Sequence, residues 1–101
     1  MAAPKNATML SREAAELFAA RVLDWMAGQP DLMARFLGQS GLDTAQLPRM
    51  AGDPEFLASV LDMLLGDEAV LLACCEDLAE PPDLPMRARA ALPGGDLPHW
   101  T

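Results

Sequence analysis

The sequence predicts an all-α fold, a compact orthogonal bundle of five to six short helices, and three observations point that way. The apolar residues, 51% of a 101-residue chain, are mostly Ala, Leu and Met, with no Ile and few Val or Thr. Such a set favours helix nearly everywhere and gives strands little to be built from. Apolar residues recur at three- and four-residue steps, and Gly, Pro and capping acids punctuate those runs where helices start and stop. The length suits one domain. We place a helical domain at residues 11–92, between a flexible N-terminal segment, 1–10, and a flexible C-terminal tail, 93–101.

Ser11 reads as the cap of a first helix, with Glu13 and Glu16 facing the positive end of its dipole. Ala14, Leu17, Phe18, Val22, Trp25 and Met26 make its apolar face, Trp25 as a core anchor, and Gly28 ends it in the left-handed conformation. Pro30 opens a second helix in which Leu32, Met33, Phe36 and Leu37 point inward, stopping near Ser40-Gly41. Asp43-Thr44-Ala45-Gln46 has capping-box spacing, but Pro48 one turn later predicts only a turn or a broken short helix. Asp53-Pro54-Glu55 is the best helix start in the chain, followed by the stripe Phe56, Leu57, Val60, Leu61, Leu64 and Leu65 and a stop at Gly66. Asp67 caps the next helix, apolar on every side from Val70 to Cys75, which predicts the central helix of the bundle. Glu80-Pro81-Pro82 breaks the chain, and Asp83 caps a last helix with Arg87 and Arg89 near its C-terminal end.

One segment is written nearly twice. MAGQPDLMARFL, from Met26, and MAGDPEFLASVL, from Met50, share six of twelve positions. The shared letters are those that helix boundaries demand, and two copies are too few for a solenoid. The echo reads as repeated helix grammar.

Net charge is −8, and it is unevenly spread. Residues 1–49 balance five basic against five acidic residues, whereas 50–86 carry nine acids and neither Lys nor Arg. A half with no cation argues against nucleic acid or an anionic membrane as partner. There is no secretory leader pattern and no run of about 18 apolar residues, so the chain reads as cytoplasmic. The adjacent Cys74 and Cys75 cannot close an ordinary disulfide, which fits a reducing compartment.

RFLGQSGLD, then DPEFLASVLDMLLGDEAVLLACCEDL, then RARAALPGG, resembles a small bacterial family catalogued as domain of unknown function 3572. The resemblance covers the chain from about Ser11 to Gly95. It implies a stand-alone, cytoplasmic, all-helical protein with no assigned activity, cofactor or catalytic residue, so no functional position is carried over. Met63 and the cysteine pair stand where aromatic or alanine side chains are expected in such a family, which weakens any special role for those cysteines.

No catalytic constellation emerges. The one histidine, His99, sits in the tail, where it cannot be held beside Ser40, Ser59 or a cysteine. Cys74 and Cys75 lie about 100° apart around a helix, so they read as two small buried residues rather than zinc ligands. Asp62, Asp67 and Glu68 cluster around Gly66, the arrangement a hard divalent cation would use, although capping and solvation account for them as well. Met26, Met33, Met50 and Met63 read as core; Trp100 reads as a disordered or loosely tucked tail residue. The expected function is a non-enzymatic interaction or regulatory adaptor module, without cofactor, that offers an unidentified, basic protein partner an acid-rimmed apolar helical surface. Glu55, Asp62, Asp67, Glu68, Glu76, Asp77 and Glu80 are its candidate residues. The alternatives are a small carboxylate-based ligand- or metal-binding protein or enzyme, and a homo-oligomer that buries excess apolar surface against a copy.

Overall fold

The structure, a computed structural model, describes residues 10–93, and all regular structure among them is helical. Helix α1 spans Arg12–Ala27, α2 Pro30–Ser40, α3 Leu47–Met50, α4 Pro54–Leu65, α5 Glu68–Leu78 and α6 Leu84–Ala90; a 3-10 turn at Thr44–Gln46 leads into α3. The segments expected to be flexible, 1–10 and 93–101, lie outside the described residues except for Leu10 and Pro93, and His99 and Trp100 lie there too.

The starts are made by the residues that announced them. Ser11 Oγ accepts the Ala14 N–H at 3.0 Å, Asp53 accepts that of Glu55 at 3.1 Å, and Asp67 that of Val70 at 3.2 Å. Asp43 and Gln46 close a reciprocal box, Asp43 accepting from Ala45 at 3.0 Å and Gln46 accepting from the Asp43 N–H at 2.9 Å. Each satisfies donors that a first turn leaves without an intrahelical partner. Pro48 falls in the first turn of α3, and the helix here is a single turn, as the spacing predicts.

Two boundaries differ from expectation. Gly28 sits at φ −89°, not in the left-handed region; the left-handed stops are Gly41 (φ 77°) and, unforeseen, Ala79 (φ 59°). Asp83 does not cap α6. Its backbone is already helical, and Pro85 has removed one of the N–H groups a capping side chain would reach, so Asp83 pairs instead with Arg87 at 3.6 Å.

Helices α1, α4 and α6 pack on one another around the core. Val22 and Met26 of α1 and Val60, Leu61 and Leu64 of α4 are wholly buried, and Pro85 and Ala88 of α6 close the third side. Helix α2 packs on α1, adding Met33 and Phe36, whose ring meets Phe56 edge-on at 5.7 Å between centroids. Met50 and Met63 pack on the margin of this core.

The central helix is therefore α4, not α5. Only Cys74 and Cys75 of α5 are buried, and Leu72 is 46% exposed. Gly66 and Asp67 make the turn from α4 into α5, and α6 has taken the place against α1 and α4. The face of α1 is also turned: Ala15 and Ala19 are buried where Ala14 and Leu17 were expected, and Leu17 is 67% exposed. Two alanines one turn apart let neighbouring helices approach closely, since interaxial distance follows the size of the contact residues. Trp25, expected in the core, is half-buried at its edge.

Candidate functional site

Folding brings the acidic half of the chain against cations of the rest. Arg21 on α1 donates to Glu80 at 2.7 Å and to the Leu78 carbonyl at 3.1 Å; Arg35 on α2 donates to Asp67 at 3.1 Å. Arg89 on α6 holds both carboxylate oxygens of Asp62, at 2.6 and 3.4 Å, while its other Nη donates to the Pro93 carbonyl at 2.9 Å. The Trp25 indole N–H donates to Asp77 at 2.8 Å. Four of the seven candidate acids, Asp62, Asp67, Asp77 and Glu80, are thus tied to other helices. These ties are at the surface, where an ion pair contributes about 0.2–1 kcal/mol. Glu55, Glu68 and Glu76 are exposed and make no ion pair among the described residues.

Ligand chemistry finds little support in these contacts. Asp62 and Asp67 line one cleft of about 290 Å³ with Arg35, Gln39, Met63 and Gly66, but each faces a guanidinium. Among the described residues no group of three or more His, Cys, Asp or Glu is placed to hold a metal ion. The Asp62–Asp67–Glu68 cluster drawn from the sequence does not form, because the turn at Gly66 sends Asp62 to α6 and Asp67 to α2. Asp67 has its carboxyl held below the ordinary range, first by the Val70 N–H and then by Arg35. Burial, with Cys75 and Asp77 adding to it, pushes the Cys74 thiol up to about 12, and burial also raises Cys75. Thiols so placed stay protonated and are poor nucleophiles.

The larger openings flank Trp25. On one side, Trp25, Pro30, Asp31 and Leu32 at the α1–α2 junction face Ala69, Val70 and Ala73 of α5 across a cleft of about 340 Å³. On the other, Leu17, Ala20, Asp24 and Trp25 of α1 face Leu78 across about 390 Å³. The indole, fixed by Asp77, forms the ridge between them. Along α5, Ala69, Leu72, Ala73 and Glu76 follow at three- and four-residue steps and share an exposed stripe. Glu68 and Glu76 stand one turn to either side of Leu72. Sequence reasoning missed this groove because it took the all-round apolar run of α5 as a sign of burial; the bracketing glutamates were the signal that part of the run faces water.

No helix among the described residues is long and apolar enough to cross a membrane. Comparison with known families matches residues 12–95 to one described as a protein of unknown function, DUF3572, in agreement with the resemblance read from the segments. No curated protein and no solved structure matches the chain.

Proposed function

The chain belongs to the DUF3572 family of proteins of unknown function, and we propose that it is a non-enzymatic protein-interaction module that uses the groove along α1 and α5 around Trp25. One observation carries this reading: the Val70–Cys75 run of α5 is apolar on every side but only Cys74 and Cys75 are buried, which leaves Leu72 exposed and Ala69 and Ala73 uncovered in the cleft beside Trp25. Exposed apolar surface with a polar border is what recognition surfaces offer. The proposed setting is a bacterial cytoplasm, supported by the family resemblance and by two free, buried cysteines.

Affinity capture from the native cytoplasm at low and high salt tests the reading, with Ala73→Glu, in the cleft beside Trp25, compared against Met86→Glu. Met86 is an exposed apolar residue on a different helix, at 67% exposure. A protein retained by the parent chain and by Met86→Glu but lost with Ala73→Glu supports the proposal. Identical sets from all three baits, or recovery of the bait alone, refutes it.

A further inference from the structure

We propose that a groove between α2 and α4 is the docking place of the chain's own residues 94–101, with Leu97 and Trp100 seated on Met63. The proposal goes beyond the clefts at Trp25 and does not depend on them. Two clefts, of about 290 and 260 Å³, lie between α2 and α4 and share Gln39, Asp62 and Met63, so they form one groove. Half-buried Met63 stands in both, buried Phe36 lines one, and Gln39, Ser40 and Ser59 supply polar groups. A thioether is a favourable neighbour for an indole, and an amide such as that of Gln39 can pair with an extended backbone.

The described residues end at this groove. Arg89 donates to the Pro93 carbonyl at 2.9 Å and to Asp62 at 2.6 Å, so Pro93 stands across one guanidinium from a residue that lines both clefts. GGDLPHWT follows Pro93 in the sequence. Trp100 is thus within a reach of up to about 23 Å, whereas the groove from Ser59 to Gly66 is about 10 Å long with Asp62 near its middle.

Charge selects this groove over those at Trp25. The segment carries Asp96 and neither Lys nor Arg. Asp24 and Asp31 line the clefts beside Trp25 without a cation partner among the described residues, and would repel it. Between α2 and α4, Asp62 is held by Arg89 and Asp67 by Arg35, so the lining is charge-balanced. A second copy brings a net charge of −8 and must be captured from solution, whereas a short tether holds Leu97 and Trp100 at millimolar effective concentration. At that concentration a contact with a Kd of about 1 mM is made about half the time.

The test has two readouts on the full chain. In Trp25→Phe, Trp100 is the sole indole, and acrylamide should quench it about twofold more slowly than it quenches the free peptide GGDLPHWT. Adding Met63→Glu, with folding checked by circular dichroism, should bring quenching to the peptide value; adding Ala73→Glu, beside Trp25, should not. In the parent chain, Trp100→Ala leaves every described contact in place, yet it should shift the Met63 ε-methyl resonance through loss of the indole ring current while those of Met26, Met33 and Met50 stay. The inference is overturned if Trp100 is quenched as fast as the peptide, if Met63→Glu and Ala73→Glu act alike, or if Trp100→Ala leaves the Met63 methyl unmoved. It is overturned equally if these effects vanish on dilution, which would put the segment of one copy on another. None of these outcomes bears on the Trp25 reading, which stands or falls with the capture experiment.

Discussion

Ala79 is the one non-glycine residue with positive φ among those described, at φ 59° and ψ 44°, and replacing it with glycine should stabilise the protein. The position closes α5: the Ala79 N–H bonds to the Glu76 carbonyl at 3.2 Å and the Glu80 N–H to the Cys75 carbonyl at 2.9 Å. This is the paired hydrogen-bond pattern with which helices end on a left-handed residue, a place that glycine usually fills. Glu80, the next residue, pairs with Arg21 at 2.7 Å. A side chain with a Cβ costs roughly 1–2 kcal/mol at the left-handed position. Glycine returns about 0.5–1 kcal/mol of this through the greater entropy of its unfolded chain. Ala79→Gly should therefore gain about 0.5–1 kcal/mol, raising Tm by about 2–8 °C for a domain of this size. The assay is denaturant and thermal unfolding followed by far-UV circular dichroism. Two controls fix the interpretation. Gly41, at φ 77° with open space around it, should lose a similar amount on mutation to Ala; Gly28, at φ −89°, where a Cβ meets only the Trp25 carbonyl at an ordinary 3.5 Å, should tolerate Ala. A loss of stability in Ala79→Gly alongside a loss in Gly41→Ala would refute the argument from left-handed strain.

The turned face of α1 and the central place of α4 separate two leucines: Leu61→Ala should cost about 2–5 kcal/mol by urea unfolding, and Leu17→Ala less than about 0.5. For Asp67, whose folded carboxyl titrates below its ordinary value, the stability it contributes is present at neutral pH and is lost as pH falls through the folded value. Asp67→Asn, which retains an oxygen for the Val70 N–H, should thus show a shallower fall in stability between about pH 5 and pH 2. Arg89→Ala should cost about 1 kcal/mol, because it removes a two-oxygen contact to Asp62 and the hydrogen bond to Pro93 together. Cys74 and Cys75 should react with a thiol reagent only through opening of α5, and Arg35→Ala, which removes its tie to α2, should speed that labelling in the native protein without denaturant.

Local signals were legible wherever one residue type meets one local demand. Ser11, Asp53 and Asp67 cap because a short oxygen-bearing side chain just before a helix reaches the N–H groups that the first turn leaves open. Pro30 and Pro54 open helices for the complementary reason that no N–H is lost there. The buried stripe of α4, from Phe56 to Leu64, was readable because leucine-sized residues on one face leave one orientation open. The same reasoning failed on α1 and α5. Alanine and cysteine carry too little apolar area to decide a face by themselves, so Ala15 was buried over Ala14, and Leu17 and Leu72 were left in water, by the positions of neighbouring helices.

Sequence by itself determined that this chain is helical, where its helices begin, and that its charge is segregated along the chain, because each of these depends on residues within a turn or two of one another. Tertiary structure alone decided what the acids do. Partners 27 to 59 residues apart, Arg89 with Asp62, Arg35 with Asp67, Trp25 with Asp77 and Arg21 with Glu80, interleave the acidic run with the rest of the chain. Electrostatic contacts depend on distance in space, so a block of nine carboxylates in one dimension becomes four ties to distant elements, one pair between Asp83 and Arg87 of α6, one helix cap at Asp53, and three exposed glutamates, of which Glu68 and Glu76 bracket the uncovered Leu72.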